Sequence, residues 1–492
     1  MKPALPSAQA ATASPPASPQ RAPSGSSSGP AFTADELDNS RPMRWDRVAI
    51  TDCGKAAIAS VLTALQDTEQ RTRIRRPADQ DRLNGTLEAI LLDLYAAAKA
   101  DPSRFLAYSR NSNDFDHGRY GNPLVTLTAV RTVTDYLTKA GLTEGAPGYY
   151  DRTPNAFGGP GGHGRRTRVR ATPRLITLLE ASGLSIDGIG QRPTTEIIRL
   201  KGPPAGRGAT KPRLEYDDTD ETFAMRQSLA ELNALIASTR IDLDSQDPIE
   251  PAEDLGEIEA DDRPDAKDRT ARQLYRVFNN GSLEQGGRFY GGWWQALRKA
   301  DRQRLLIDGE PTVELDFKSM HTRLCYQFEG CPLPPDVDPY LIPGLPKTSR
   351  DVVKAALNRL INAAPGKTPR APERAVAGLP PGMTWKRLLE TVEAHHAPIA
   401  PWFRSGQGMR LQFVDSAIAD AVLRYLTFRR VPCLPVHDSF IVAESHERQL
   451  GETMFLAYYA QSGKHGATKA YPVISGWSSL TVEALIRARL EG

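Results

Sequence analysis

Residues 434–444, LPVHDSFIVAE, form a run of apolar and β-branched residues with a His and an Asp at its centre. Leu, Val, Phe and Ile at this density call for a buried strand. A buried, unpaired carboxylate costs several kcal/mol or more, so such an Asp normally has a cation, a metal or a dense set of donors beside it. Two accounts of Asp438 follow. Either it is compensated inside the fold, or His437-Asp438 is a hairpin turn whose flanking strands carry the apolar residues.

The chain of 492 residues has room for two or three domains at roughly 100–200 residues each. Its 62 Lys+Arg against 59 Asp+Glu leave the net charge silent about an anionic partner, so the distribution of charge has to decide. Cys53, Cys325, Cys331 and Cys433 contain no CxxC pair and are too few for a disulfide framework, which points to a reducing, cytoplasmic setting. No apolar run approaches the ~18–20 residues that span a bilayer, so no membrane is expected. Residues 1–42, rich in Ala, Ser and Pro and without an apolar h-region, read as a disordered tail, with a transit peptide as the lesser alternative.

Residues 43–203 form the next unit. Leu87, Ile90, Leu91 and Leu94 share one helical face, as do Leu127, Val130, Val133 and Leu137 before Gly141. A Gly-rich stretch then leads into Arg165, Arg166, Arg168 and Arg170, followed by Thr172-Pro173 as a helix start and by the strand-like EIIRL. Helix, basic glycine-rich hairpin, short helix and strand is an order similar to winged-helix DNA-binding domains. Arginines on such a loop would contact phosphates, which carry affinity without sequence information; a solvated basic loop is the plainer alternative. Residues 204–267 read as an amphipathic helix through Met225, Leu229, Leu232 and Ile236, then an acidic, Pro-containing linker. From 268 to 492 strand-like and helix-like runs alternate, as in an α+β domain.

In this last region TVELDF is strand-like and SMHTRLCYQF helical, which puts Asp316 where strand gives way to helix. Asp316 and Asp438 on adjacent strands would be the oxygen donors that a two-Mg²⁺ site needs for phosphoryl transfer. Between them TSRDVVKAALNRLINAA is a helix with Thr348 or Ser349 as cap, and it carries Arg350 and Lys354 at i and i+4, one turn apart on the same face.

The ordered set DFKSMHTR, RDVVK and VHDSF resembles motifs A, B and C of the family A nucleic acid polymerases, which include polymerase I-like DNA enzymes and single-subunit RNA polymerases. The resemblance covers roughly residues 268–480. Asp316, Phe317, Met320 and Arg323 stand at the Asp, aromatic, apolar and Arg positions of motif A, Arg350 and Lys354 at the triphosphate-holding positions of motif B, and His437-Asp438-Ser439 at motif C. It implies a palm-and-fingers fold and a template-directed nucleotidyltransferase, with two Mg²⁺ ions on Asp316 and Asp438 and nucleoside triphosphates held by Arg350 and Lys354. It also implies a primer-template bound through His437, Arg288, Tyr290, Asp415 and Arg323. His321 stands where the DNA enzymes carry a Glu that excludes the ribose 2′-hydroxyl, so a deoxynucleotide gate and a ribonucleotide enzyme, primase-like or transcribing, both remain. Asn358 and Asn362 replace the aromatic pair of motif B. A rival of another class is a catalytically silent DNA-binding protein that controls replication. His395-His396 and the Cys325/Cys331 pair lack a spacing that closes a metal site and read as structural.

Overall fold

A computed structural model describes residues 32–476 apart from 70, 72, 116–117, 152–162, 193–194, 207–208, 245–248, 251, 253–263 and 469. The expected tail up to residue 31, the tip of the Gly-rich stretch, much of the acidic stretch and the end of the chain lie outside these residues.

The chain opens with α1 (Ala34–Asp38) and β1 (Ser40–Pro42), continues through β2 (Arg47–Ala49), α2 (Asp52–Thr68), α3 (Pro77–Ala100), β3 (Phe105–Tyr108), α4 (Leu127–Lys139), β4 (Thr143–Ala146) and β5 (Tyr149–Asp151), and then reaches β6 (His163–Arg165), β7 (Thr167–Ala171), α5 (Pro173–Ala181) and β8 (Ile189–Gln191). The tail expected through residue 42 therefore ends earlier: Thr33 and Glu36 form a reciprocal capping box for α1, and β1 pairs in parallel with β3. Pro77 sits in the first turn of α3, whose Leu83 to Ala97 stretch is almost wholly buried. Such an all-round apolar helix belongs at the centre of a core, and α2, α4, α5 and a sheet ordered β1-β3-β7-β4 surround it.

A second core follows, with β9 (Ile198–Leu200), α6 (Asp220–Ser238), β10 (Ile241–Leu243), β11 (Tyr275–Asn279), β12 (Ser282–Tyr290), α7 (Lys299–Arg302), β13 (Leu305–Ile307) and β14 (Glu310–Asp316). Beyond these come α8 (Met320–Phe328), α9 (Arg350–Asn362), α10 (Glu373–Ala377), α11 (Trp385–His395), α12 (Gly408–Phe428), β15 (Leu434–Val436), β16 (Ser439–Ala443) and α13 (Glu447–Lys464). Its sheets run β10-β13-β14-β16-β15 and β12-β11-β9. Helices and strands are thus mixed in an α+β arrangement.

Two short strands depart from the sequence reading. EIIRL, placed with the first unit, gives β9, which pairs in parallel with β11 and buries Ile198 and Leu200 in the second core. The start of the expected acidic linker is β10, paired antiparallel with β13 and burying Ile241 and Leu243. In both cases alternate apolar residues need a sheet face, and the pairing partners that bury them, β11 and β13, belong to the second core. LPVHDSFIVAE is also two strands, β15 and β16, joined at His437-Asp438, so the hairpin account of the motif is the correct backbone description.

Candidate active site

β14 is the strand between β13 and β16, and Asp316 at its end pairs with Ser439, the residue after Asp438. The register brings the two carboxylates together, and the Phe317 N–H donates to the Asp438 carbonyl at 3.3 Å. The turn is strained: His437 has φ +58°, and Ser319, which turns β14 into α8, has φ +55°. Each costs an L-residue roughly 1–2 kcal/mol, and such outliers gather where function fixes a geometry. Trp294 Nε1 and Gln295 Nε2 both donate to the Pro435 carbonyl at 3.1 Å and hold the hairpin against the turn that follows β12.

Both carboxylates are raised. Burial, then the charge of Asp438, pushes the Asp316 carboxyl up to about 7, against the pull of Lys299 and Lys354. Asp438 is raised by burial and then by Asp415, while Arg288 and His321 pull it down. Uncompensated negative charge on two hard oxygen donors is what a small divalent cation relieves, and Mg²⁺ is typically held by one or two carboxylates with water and phosphate completing the shell. Among the described residues no group of three or more His, Cys, Asp or Glu is placed to cage a metal by itself.

Beside Asp438 stands a second cluster. Gly286 and Gly287, at φ +80° and +86°, make a bulge in β12, and a Cβ on Gly287 would come within 2.6 Å of Ser416 Oγ. The bulge aims Arg288 at α12, where its Nε donates to Asp415 Oδ2 at 3.0 Å and the same oxygen meets His321 Nε2 at 3.2 Å. Arg288 holds the Asp415 carboxyl well below its usual range, although burial opposes this. The expectation that Asp415 touches a nucleic acid strand is corrected here: it is 1% exposed and spent on Arg288 and His321. It is a positioning residue. His321 is thereby fixed in orientation, and Tyr290 faces His437 edge-on with ring centroids 6.0 Å apart.

Arg350 and Lys354 share a face of α9, as their spacing predicts, and both lie over the Tyr340 ring, at 5.1 and 5.9 Å. Arg350 Nε also donates to Asp338 at 2.7 Å. Ser349 takes the N-cap place without a side-chain hydrogen bond. The charge of Lys354 acts on Asp316, pulling its carboxyl down against burial and Asp438.

Arg323 is a further correction. It is 5% exposed and its guanidinium donates to the carbonyls of Leu333, Pro334, Pro335 and Val337, so it fastens a loop and does not reach a strand. In the basic hairpin Arg165 pairs with Asp38, Arg168 donates to the Leu37 carbonyl, and Arg170 pairs with Glu144 and lies over Phe105. Arg166 is exposed. Three of the four arginines expected to bind DNA are therefore tied into the protein.

The sequence reading missed several contributors. Lys299 on α7 acts on Asp316 from a segment that carried no motif. Glu314, two residues before Asp316 and so on the same strand face, accepts from Arg302 at 2.9 Å and from Ser439 Oγ at 2.8 Å. Ser439 thus braces Glu314. Ser475 Oγ accepts from the Asp316 N–H at 2.9 Å, and the Val473 carbonyl accepts from the Lys318 N–H at 2.8 Å. His396 and Cys325 are buried, with His396 Nδ1 2.8 Å from the Tyr326 hydroxyl. No described helix is long and apolar enough to cross a membrane. Comparison of the chain with known protein families gave no match, nor did comparison with curated proteins.

Proposed function

We propose that the chain is a template-directed nucleotidyltransferase, most simply a DNA polymerase, with Asp316 and Asp438 as its catalytic carboxylates. The observation that carries this reading is the pair itself: one carboxylate ending β14 and one in the turn that leads into the adjacent β16, each raised by burial and a neighbouring carboxylate, with the charge of Lys354 of α9 acting on Asp316. When bound, paired Mg²⁺ ions supply the positive charge that acidifies a primer 3′-hydroxyl and screens a departing pyrophosphate. Asp316 and Asp438 would hold those ions. Lys354 and Arg350 neutralise charge on the β and γ phosphates, with Asp338 and Tyr340 keeping Arg350 in place until the triphosphate arrives. Lys299, exposed beside Asp316, offers a third cation.

His321, locked between Asp415 and Arg288, presents an imidazole where the sugar of the incoming nucleotide would lie and selects against a 2′-hydroxyl by bulk. Arg288, Tyr290 and His437 line the approach of the primer-template. The second core is then palm and fingers, and the first is a winged-helix-like unit that meets duplex DNA. The reading suits a cytoplasmic enzyme of DNA replication.

Primer extension on a DNA template with Mg²⁺, in parallel lanes of deoxynucleotides and ribonucleotides, tests this. Extension by the wild type that disappears in Asp316→Ala and Asp438→Ala is expected, with deoxynucleotides preferred. Extension unchanged in both variants ends the proposal. Product in the ribonucleotide lane without a primer would make the enzyme primase-like. Retardation of duplex DNA with no extension in any lane would leave a silent DNA-binding protein.

A further inference from the structure

Away from the carboxylates, two cavities meet where the first core faces the β12-β11-β9 sheet. One, of about 220 Å³, is lined by Trp45, Tyr120, Arg199, Arg213 and Tyr275 among others. The other, of about 390 Å³, shares Trp45 and Arg213 and adds Arg166, Lys201 and Lys211. Trp45 and Arg213 line both, so the two lie side by side along one cleft face.

The chemistry of this cleft is cationic and aromatic together. Arg199 lies 3.4 Å over the Tyr275 ring, and Arg213 lies 6.0 Å from the centroid of Tyr120. A guanidinium laid flat on a ring extends the ring's stacking plane and keeps its charge. Among the lining residues the acids are Asp46 and Asp114, so basic side chains outnumber them along the walls. Sequence-tolerant binding of single strands uses this combination of a basic groove and ring faces.

The cleft also leads to the candidate active site. Tyr275 is 6.3 Å, centroid to centroid, from Tyr290, and Tyr290 is 6.0 Å from His437, the neighbour of Asp438. Rings on two antiparallel strands, β11 and β12, and on the motif hairpin thus lead from the cleft wall at Tyr275 to His437, next to Asp438.

We infer that this cleft binds single-stranded nucleic acid and that the strand it holds is the template on its way to Asp316 and Asp438. The template role rests on the polymerase reading above; the binding of a single strand does not. Arg166 acquires a task here that the hairpin arginines beside it, tied to Asp38, Leu37 and Glu144, do not share.

The test is fluorescence anisotropy of a labelled oligothymidylate and, in parallel, of a labelled DNA duplex, in EDTA so that no chemistry intervenes, with the full chain and its Arg166→Glu, Arg213→Glu and Trp45→Ala variants. Arg166 and Arg213 are exposed, so their reversal leaves the fold intact, which a thermal melt checks; they decide the matter even if Trp45→Ala fails to fold. Each reversal is expected to weaken binding about tenfold at low salt and to flatten the slope of log affinity against log salt by ~0.7 for each phosphate no longer neutralised. Trp45→Ala is expected to weaken it about tenfold with the slope unchanged. Wild-type affinity in both arginine variants overturns the inference. So does a loss confined to duplex DNA, which would make the cleft a duplex grip. Loss of oligothymidylate binding in a protein whose wild type extends no primer would uphold the single-strand cleft and remove only the polymerase reading.

Discussion

Two sets of buried carboxylates in this molecule behave in opposite ways. Asp93, fully buried on α3, and Asp268, 1% exposed at the entry to the second core, are met by Arg41, Arg44 and Arg47. Arg47 bridges the two at 2.7 and 2.6 Å, and Arg41 pairs with Asp93 at 2.7 Å while lying 3.7 Å from Asp268. Burial raises each of these acids, but the guanidiniums outweigh it and hold both below the usual range. Asp316 and Asp438 receive no such match: burial raises them and neighbouring carboxylates raise them further. The first set ties the two cores together, while the second keeps an electrostatic deficit for something that binds. A perturbed carboxylate is thus informative through the direction of its shift and the identity of its neighbour.

Breaking the compensated set gives the largest expected effect. Asp93→Leu leaves Arg41 and Arg47 buried without their carboxylate and should cost about 3–5 kcal/mol in urea unfolding. A loss below about 1 kcal/mol would mean that the network is hydrated and does not bind the cores. His396 isolates burial from pairing. It is 1% exposed, and desolvation followed by His395 lowers it from 6.5 to about 4. The unfolded chain therefore takes up this proton first as pH falls, so stability is complete above pH 6.5 and declines toward pH 4. The decline is up to about 3 kcal/mol. His396→Gln should remove that slope from the difference between the two unfolding curves; an unchanged slope would place the effect elsewhere.

Asp438→Asn acts on the uncompensated set with the opposite sign. Without metal it removes a repulsion, and the variant should be about 1 kcal/mol more stable than wild type while losing primer extension. Destabilisation in EDTA would show that Asp438 is compensated after all, and the contrast between the two sets would fail.

Much of the candidate site was readable because its residues carry their chemistry in short order: an Asp ending a strand, Arg350 and Lys354 one turn apart, an Asp inside an apolar hairpin. What misled was distance along the chain. Asp415 finds its partners at Arg288 and His321, about a hundred residues back, and Arg323 is consumed by carbonyls of a Pro-rich loop. β9 and β10 have three residues each, too few for periodicity to say which sheet they join. Lys299 and Ser475 had no local signal. Asp93 did have one: ILLDLY embeds an acid in an apolar helix, and the argument applied to Asp438 applies there with an arginine answer.

The smallest expected effect concerns the backbone that carries the uncompensated pair. Ser319 and Arg430 are both left-handed, at φ +55° and +57°, but Ser319 links Asp316 to α8 whereas Arg430 follows the end of α12. Glycine relieves the same steric cost at each, so Ser319→Gly and Arg430→Gly should each gain about 0.5–1 kcal/mol in thermal unfolding. Their activities should diverge. Ser319 sets the direction in which α8 starts, and His321, two residues on, depends on that direction to meet Asp415. Slackening the turn is expected to lower extension several-fold and to weaken discrimination between deoxy- and ribonucleotides, with Arg430→Gly unaffected. Equal activity in the two variants would make the strain at Ser319 a consequence of chain reversal alone. The geometry of the carboxylate pair would then have to come from sheet register, through the pairing of Asp316 with Ser439.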